Sequence, residues 1–158
     1  MTRIITTLVI ALLVMTAQAH EFLGVKFGDT RMVAKIRLSD YRTNDRHADH
    51  ILVYGGVKFA GIEFDMAQFE FAPCCWQVHF MALKKLPGEA IGLYDETSER
   101  LARKYGEAKE VLIGGNAVRK WMDGTTEICA VYMTPKEGKD ACFMLTYTDT
   151  THSPDDEL

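Results

Sequence analysis

Residues 62–83 read IEFDMAQFEFAPCCWQVHFMAL, and their pattern decides how the chain is built. In the first half Phe69 and Phe71 fall on one side and Gln68 and Glu70 on the other. In the second half Trp76, Val78 and Phe80 share a side, with Gln77 and His79 opposite. Alternation with a period of two, carried by aromatic and β-branched residues, is the mark of half-buried strands. The link Ala72-Pro73-Cys74-Cys75 is short enough to make them antiparallel neighbours. A lone pair of strands is only marginally stable in water, so neighbouring segments must cover its apolar side.

Outward from this hairpin, the N-terminus reads as an export signal. Arg3 gives a positive start, Ile4 to Met15 form an apolar run, and Ala17-Gln18-Ala19 is a small-residue cleavage site. Residues 1–19 are therefore expected to be removed and the mature chain to begin at His20. The run is short for a membrane span and carries Thr6 and Thr7. No cysteine follows the cleavage site, so no lipid anchor is indicated.

The whole chain has 18 basic and 22 acidic residues. Without Arg3 the balance is 17 against 22, a net charge of −5. This argues against a nucleic-acid partner, which requires a clustered basic face, and leaves no polybasic patch for an anionic membrane. After the leader, 158 − 19 leaves 139 residues, enough for one domain with a real core. The reading assigns 1–19 to the signal peptide, 20–150 to a single domain and 151–158 to a flexible acidic tail.

The flanks supply the cover. Asp29 or Thr30 can cap a helix over about 31–38 with Val33, Ile36 and Met32 facing inward. Residues 39–50 (SDYRTNDRHADH) read as an exposed loop. A strand is expected from Ile51 to Tyr54, broken at Gly55-Gly56 and resumed at Val57 to Phe59. After a turn over 84–88 comes the clearest helix, with Ala90, Tyr94, Thr97 or Ser98, Leu101 and Tyr105 inward at spacings of three and four. Gly106 is placed to end it, and Arg103 and Lys104 suit its last turn. Strands are expected at 118–122, 126–133 and 141–148, with Asp123-Gly124 as a hairpin turn.

The expected fold is therefore α+β: an antiparallel sheet of about six strands with two helices packed on one face. The order also suggests a duplicated α-β-β-β unit.

Four cysteines in an exported chain point to disulfides. Cys129–Cys142 is the favoured bridge because both stand on the side opposite the Ile128 and Phe143 stripes. It leaves Cys74 and Cys75 reduced or joined to each other, and would be worth about 3 kcal/mol by the chain-entropy argument. The other two connectivities tie Cys74 and Cys75 to the last hairpin. A vicinal dithiol exchanging electrons or taking up a soft metal is the functional reading of Cys74-Cys75.

His47 and His50, among Asp45 and Asp49, have ligand-like spacing and are candidate metal ligands. His20 joins them, because cleavage would free its α-amine beside its imidazole, a pairing suited to copper. No catalytic residue stands out. Glu63, Asp65 and Glu70 alternate as exposed strand positions do, and no G-x-S-x-G, H-E-x-x-H or P-loop is present. The ending Asp155-Asp156-Glu157-Leu158 resembles an endoplasmic-reticulum retrieval signal, a minor alternative to a periplasmic or secreted location.

Phe22-Leu23-Gly24-Val25-Lys26-Phe27-Gly28, Phe59-Ala60-Gly61, Leu101 through Gly106 and Trp121 through Ile128 together form a layout. It is similar to that of small exported proteins of unknown function from gut Bacteroidales. This resemblance implies a periplasmic or secreted bacterial protein and supplies no catalytic residue; Pro73-Cys74-Cys75 departs from it. The arrangement also resembles, in layout alone, the inhibitor proteins that bind β-lactamases. The function expected is non-enzymatic binding of a protein or cell-envelope ligand, with no cofactor. The alternative is a metal-binding or thiol-redox protein using His20, His47 and His50 or Cys74 and Cys75.

Overall fold

The hairpin of residues 62–83 lies in the middle of the molecule, and the strand content around it exceeds the expectation. The computed structural model describes residues 20–43 and 48–152. In chain order it contains β1 (Glu21–Phe22), β2 (Val25–Lys26), α1 (Arg31–Arg37), β3 (Arg42–Thr43), β4 (Ile51–Phe59) and β5 (Ile62–Phe71). There follow β6 (Cys75–Lys84), α2 (Pro87–Tyr105), β7 (Lys109–Ile113), β8 (Asn116–Asp123), β9 (Thr126–Met133) and β10 (Ala141–Asp149). β1 and β2 pair as a small hairpin; the other eight strands form one antiparallel sheet in the order β3-β4-β5-β6-β10-β9-β8-β7.

This corrects the α+β expectation. The protein is mostly β, with ten strands and two helices, rather than a six-stranded sheet under two helices. Four short strands account for the difference. β7 (KEVLI) is an edge strand that is exposed at nearly every position, so it shows no alternation to read. β1, β2 and β3 have two residues each, too few for any period. They also lie outside the expected helix-plus-three-strands repeat, which does not describe the chain. β4 runs unbroken through Gly55-Gly56, although only Gly55 pairs across the ladder, with Met66; Gly56, at φ of 63°, is passed over before Val57 resumes against Phe64.

The two helices play unequal parts. α2 carries Ala90, Tyr94, Thr97, Ser98 and Leu101 on its buried side, as its periodicity requires, and lies across β6, β8, β9 and β10. It ends at Gly106 with φ of 88°, a conformation that side chains resist. The Trp121 indole N–H then donates to the Gly106 carbonyl at 3.0 Å, fastening the helix end to β8.

α1 packs mainly against β2, and its orientation differs from the expectation. Met32 and Ile36 are 73% and 69% exposed, while Ala34 and Leu38 are fully buried. The segment carries two apolar pairs at i, i+4, and one short helix can turn only one of them inward. Thr30 caps it as expected, its hydroxyl accepting from the Val33 N–H.

Between these covers and the sheet lies a core of Phe, Leu, Ile, Val, Tyr and Ala. Its centre is Phe80, fully buried and stacked on Phe59 at 4.2 Å between ring centroids and 2° between planes. Phe64 and Phe22 complete the ring cluster at 5.4 and 6.4 Å. The core side of the sheet is thus closed by α2 and by the β1–β2 hairpin that carries Phe22.

Candidate functional site

Every strand that sends one side chain to the core sends its neighbour to the opposite face. The strand register lines these second-face residues up in rows. Gln68, His79, Thr146, Cys129 and Lys120 stand side by side on β5, β6, β10, β9 and β8. One step along, Glu70, Gln77, Thr148 and Glu127 form a second polar row. In the other direction the row is apolar: Met66, Met81, Met144, Val131, Val118 and Val111. Val118, Cys129 and Val131, with Val111, Met133 and Met144 around them, make a small cluster separate from the main core.

This face is hollow. A cavity of about 300 Å³ is bordered by His79 on β6, Thr146 and Met144 on β10, Cys129 on β9, Lys120 on β8 and Ile113 on β7. The hollow spans five adjacent strands, β6, β10, β9, β8 and β7. The hollow is polar at one end and methionine-rich at the other.

The polar end is a connected network. His79 Nδ1 lies 2.9 Å from the Thr146 hydroxyl, and His79 Nε2 lies 3.2 Å from Glu70 Oε1 and 3.1 Å from Gln77 Oε1. The Gln68 amide donates to Glu70 Oε1 at 2.8 Å, and the Gln77 amide to the Thr148 hydroxyl at 2.9 Å. Lys120 Nζ reaches both Glu127 oxygens at 3.2 Å. The hydrogen bond with His79 holds the Glu70 carboxyl below its usual range, against the opposing effect of burial and with help from Gln68. Burial, reinforced by the Glu127 charge, pushes the Cys129 thiol up to about 12, so it stays protonated and donates toward Glu127. These groups satisfy one another, and none is left as a free base or nucleophile.

The residues singled out from sequence are scattered. Cys129 lies opposite Thr146 and Cys142 opposite Met133, so the two cysteines are four register steps apart, roughly 14 Å along the strands at ~3.4 Å per residue. Bridged cysteines need Cα atoms within about 7 Å, so the favoured Cys129–Cys142 bond is corrected: they share a face but not a rung. All four cysteines are free thiols. The alternatives through Cys74 and Cys75 fail differently. Cys75 faces the main core, at the far end of β6 from Cys142, and its backbone pairs with Gly28 and Asp29. Burial raises the Cys75 thiol to about 12, with Asp29 and Cys74 adding to the effect.

His20 Nε2 stands 3.0 Å from Asp123 Oδ2, at ion-pair distance without hydrogen-bond alignment, and its ring lies against Phe22 and Tyr147. His50 is exposed and offers its backbone carbonyl to Phe71. His47 lies outside the described residues. Among the described residues, no group of three or more His, Cys, Asp or Glu side chains is arranged to hold a metal ion.

The sequence reading passed over the second face, although it placed Gln77 and His79 there. The available signal was parity: Met81, Met133 and Met144 each sit one residue from a core position on their strands, which sends them to the opposite side. Among the described residues, no helix is long and apolar enough to cross a membrane. No family model, curated protein or solved structure matches the chain.

Proposed function

We propose that this protein is an exported binding domain, periplasmic or secreted, that holds a protein or cell-envelope ligand against the open face of its eight-stranded sheet. The observation that carries the reading is the hollow of about 300 Å³ on the second face, graded from polar to apolar across five strands. Half-buried polar side chains already organised by their neighbours suit recognition, because little ordering remains to be done on binding. They suit acid–base or nucleophilic chemistry less: both His79 ring nitrogens are engaged, Glu70 is held ionised and Cys129 is held protonated. Export rests on residues 1–19 and on the cleavage site before His20.

The rival reading, metal or thiol-redox chemistry at His20, His47 and His50 or at Cys74 and Cys75, has less support. Cys75 is fully buried with a raised thiol, and His20 is packed between Phe22 and Tyr147 beside Asp123.

Site-specific photo-crosslinking in the native cell envelope tests the proposal. A crosslinker at Gln77, Lys120 or Thr148 is expected to trap one partner, whereas the same group at Glu99 or Arg103, on the outer side of α2, is expected to trap none. Silence from the sheet face, or equal trapping from the helix, would overturn it.

A further inference from the structure

The eight-stranded sheet has two edges, and they are built differently. β3 offers two residues, whereas β7 offers five, Lys109–Ile113, without proline and paired to β8 residue for residue with no bulge. Shortness, proline and bulges are usual protections of an exposed edge, and β7 has none of them. The remaining protection, charge, is confined to its first two residues, Lys109 and Glu110. Beyond them the apolar side chains are open to solvent: Leu112 is 79% and Ile113 54% exposed.

The hairpin that ends β7 fixes which backbone groups look outward. Ile113 and Asn116 pair across a two-residue turn, Gly114-Gly115, with φ of 58° and 83°. The pair closing such a turn exchanges both its hydrogen bonds, and hydrogen-bonded pairs alternate along an antiparallel ladder. Lys109, Val111 and Ile113 therefore bond to β8, while Glu110 and Leu112 turn their N–H and C=O groups to the free side. Among the described residues, no backbone hydrogen bond outside the β7–β8 ladder uses either of them.

Hollows flank this edge. One of about 570 Å³ is lined by Leu112 together with Tyr94 of α2 and Ala117 and Arg119 of β8. Another of about 550 Å³ is lined by Lys109, Val111 and Ile113 together with Met122 of β8 and Tyr105 at the end of α2. A strand laid along β7 sends successive side chains to alternate sides, toward one hollow and then the other, which is how strand addition gains specificity. Of the two charges on β7, Glu110 is bridged to Arg119 at 2.8 Å. Lys109 has no ion-pair partner among the described residues, and its neighbour across the ladder is Lys120, already held by Glu127. A second copy does not supply the missing carboxylate. Two β7 strands overlapped antiparallel along their full length set Lys109 opposite Ile113 and Glu110 opposite Leu112.

We propose that β7 is the docking edge for an extended segment of a partner protein, which adds antiparallel as a further strand with an apolar side chain opposite Leu112 and a carboxylate opposite Lys109. The segment exchanges about four backbone hydrogen bonds with Glu110 and Leu112, two for each narrow pair. This goes beyond the reading of the second face. It requires no ligand in the hollow beside His79, and either idea can fail while the other stands.

The probe is the acetylated and amidated peptide Thr-Val-Ile-Val-Thr-Glu-Thr, whose Ile, running antiparallel, falls opposite Leu112 and whose Glu falls opposite Lys109. On saturation with peptide, amide hydrogen exchange read by NMR is expected to slow about tenfold or more at Glu110 and Leu112. Little change is expected at Lys109, Val111 and Ile113, whose N–H groups β8 already holds. N-methylation of the peptide at Ile and at the Thr before Glu removes the two N–H groups that face β7 and is expected to abolish binding. N-methylation of its two Val residues, whose N–H groups face away, is expected to be tolerated. A peptide with Lys in place of Glu should bind about fivefold more weakly, and Lys109→Glu in the protein should reverse that preference. The proposal is overturned by no binding, by protection at Arg42 and Thr43 instead, by equal effects of the two N-methylation patterns, or by a preference that Lys109→Glu leaves unchanged. Protection of Glu110 and Leu112 that grows with protein concentration, without peptide, overturns it in favour of pairing between copies. Lys109 is exposed and the N-methyl comparison uses the unaltered protein, so misfolding cannot excuse a negative result.

Discussion

Replacing Phe80 by alanine should cost more than any other single truncation near the ring cluster. Phe80 is fully buried, and its neighbours Phe22, Phe59 and Phe64 belong to β1, β4 and β5 or the ends of those strands. Phenylalanine-to-alanine changes in cores cost about 3–5 kcal/mol, the higher values arising where the hole cannot collapse. Here each surrounding ring is held by its own strand, so a loss of about 4 kcal/mol is expected. A domain of this size has roughly 5–15 kcal/mol in total. With a urea slope of about 2 kcal/mol per molar, the unfolding midpoint should fall by about 2 M. Phe27→Ala, at the half-buried rim against Phe22, should cost less than half as much. The assay is urea unfolding followed by tryptophan fluorescence, with slopes compared to confirm that the unfolded state is unchanged. A Phe80→Ala loss below about 2 kcal/mol, or a Phe27→Ala loss of equal size, would refute the placement of Phe80 at the centre of packing.

Other expectations concern protons and thiols. Glu70, through its hydrogen bond with His79, and Asp149, where bonds from Thr151 and His152 outweigh the opposing effect of burial, both have carboxyls held below their ordinary range. Their folded forms bind protons less readily than the unfolded chain, so this stabilisation is complete above the ordinary carboxylate range and is lost as pH falls through the lowered values. Melting temperature measured against pH should therefore drop on the acid side, and Glu70→Gln should flatten that drop; an unaltered acid limb would count against the network. Alkylation at pH 8 should label Cys74 first and leave Cys75 and Cys129 slow, because burial raises both to about 12. Peptide mapping after air oxidation should recover no Cys129–Cys142 crosslink, and finding one would contradict the β9–β10 register.

How much of this was legible in the residues depends on which force placed them. α2 announced itself because its buried positions Ala90, Tyr94, Ser98 and Leu101 repeat at helical spacing and all face one sheet. The hairpin of β9 and β10 did so through alternation, and β9 matched its expected bounds. β7 did not, because an edge strand draws its stability from backbone hydrogen bonds with β8 rather than from a buried stripe. Which side of α1 turns inward is not legible locally, because Met32/Ile36 and Ala34/Leu38 are equally good apolar pairs and only the position of β2 chooses between them.

The candidate site was harder to see for a related reason. Its residues come from β5 to β10 and are neighbours only through the register, while sequence motifs favour groups close together in the chain, such as His47 and His50 or Cys74 and Cys75. The disulfide expectation failed on the same point. Cys129 and Cys142 have the right parity, but parity does not set the rung, and the loop of residues 134–140 fixes the pairing with Cys142 opposite Met133.

Ligand binding on the second face requires a sheet with one sealed face and one open face. Methyl NMR in the presence of a soluble paramagnetic agent measures this difference residue by residue. The methyl signals of Met81, Met133 and Met144 should broaden, while those of Val78, Ile128 and Leu145, on the same strands but facing α2 and the ring cluster, should remain sharp. Equal broadening of the two sets, or protection of the methionines, would contradict an open second face.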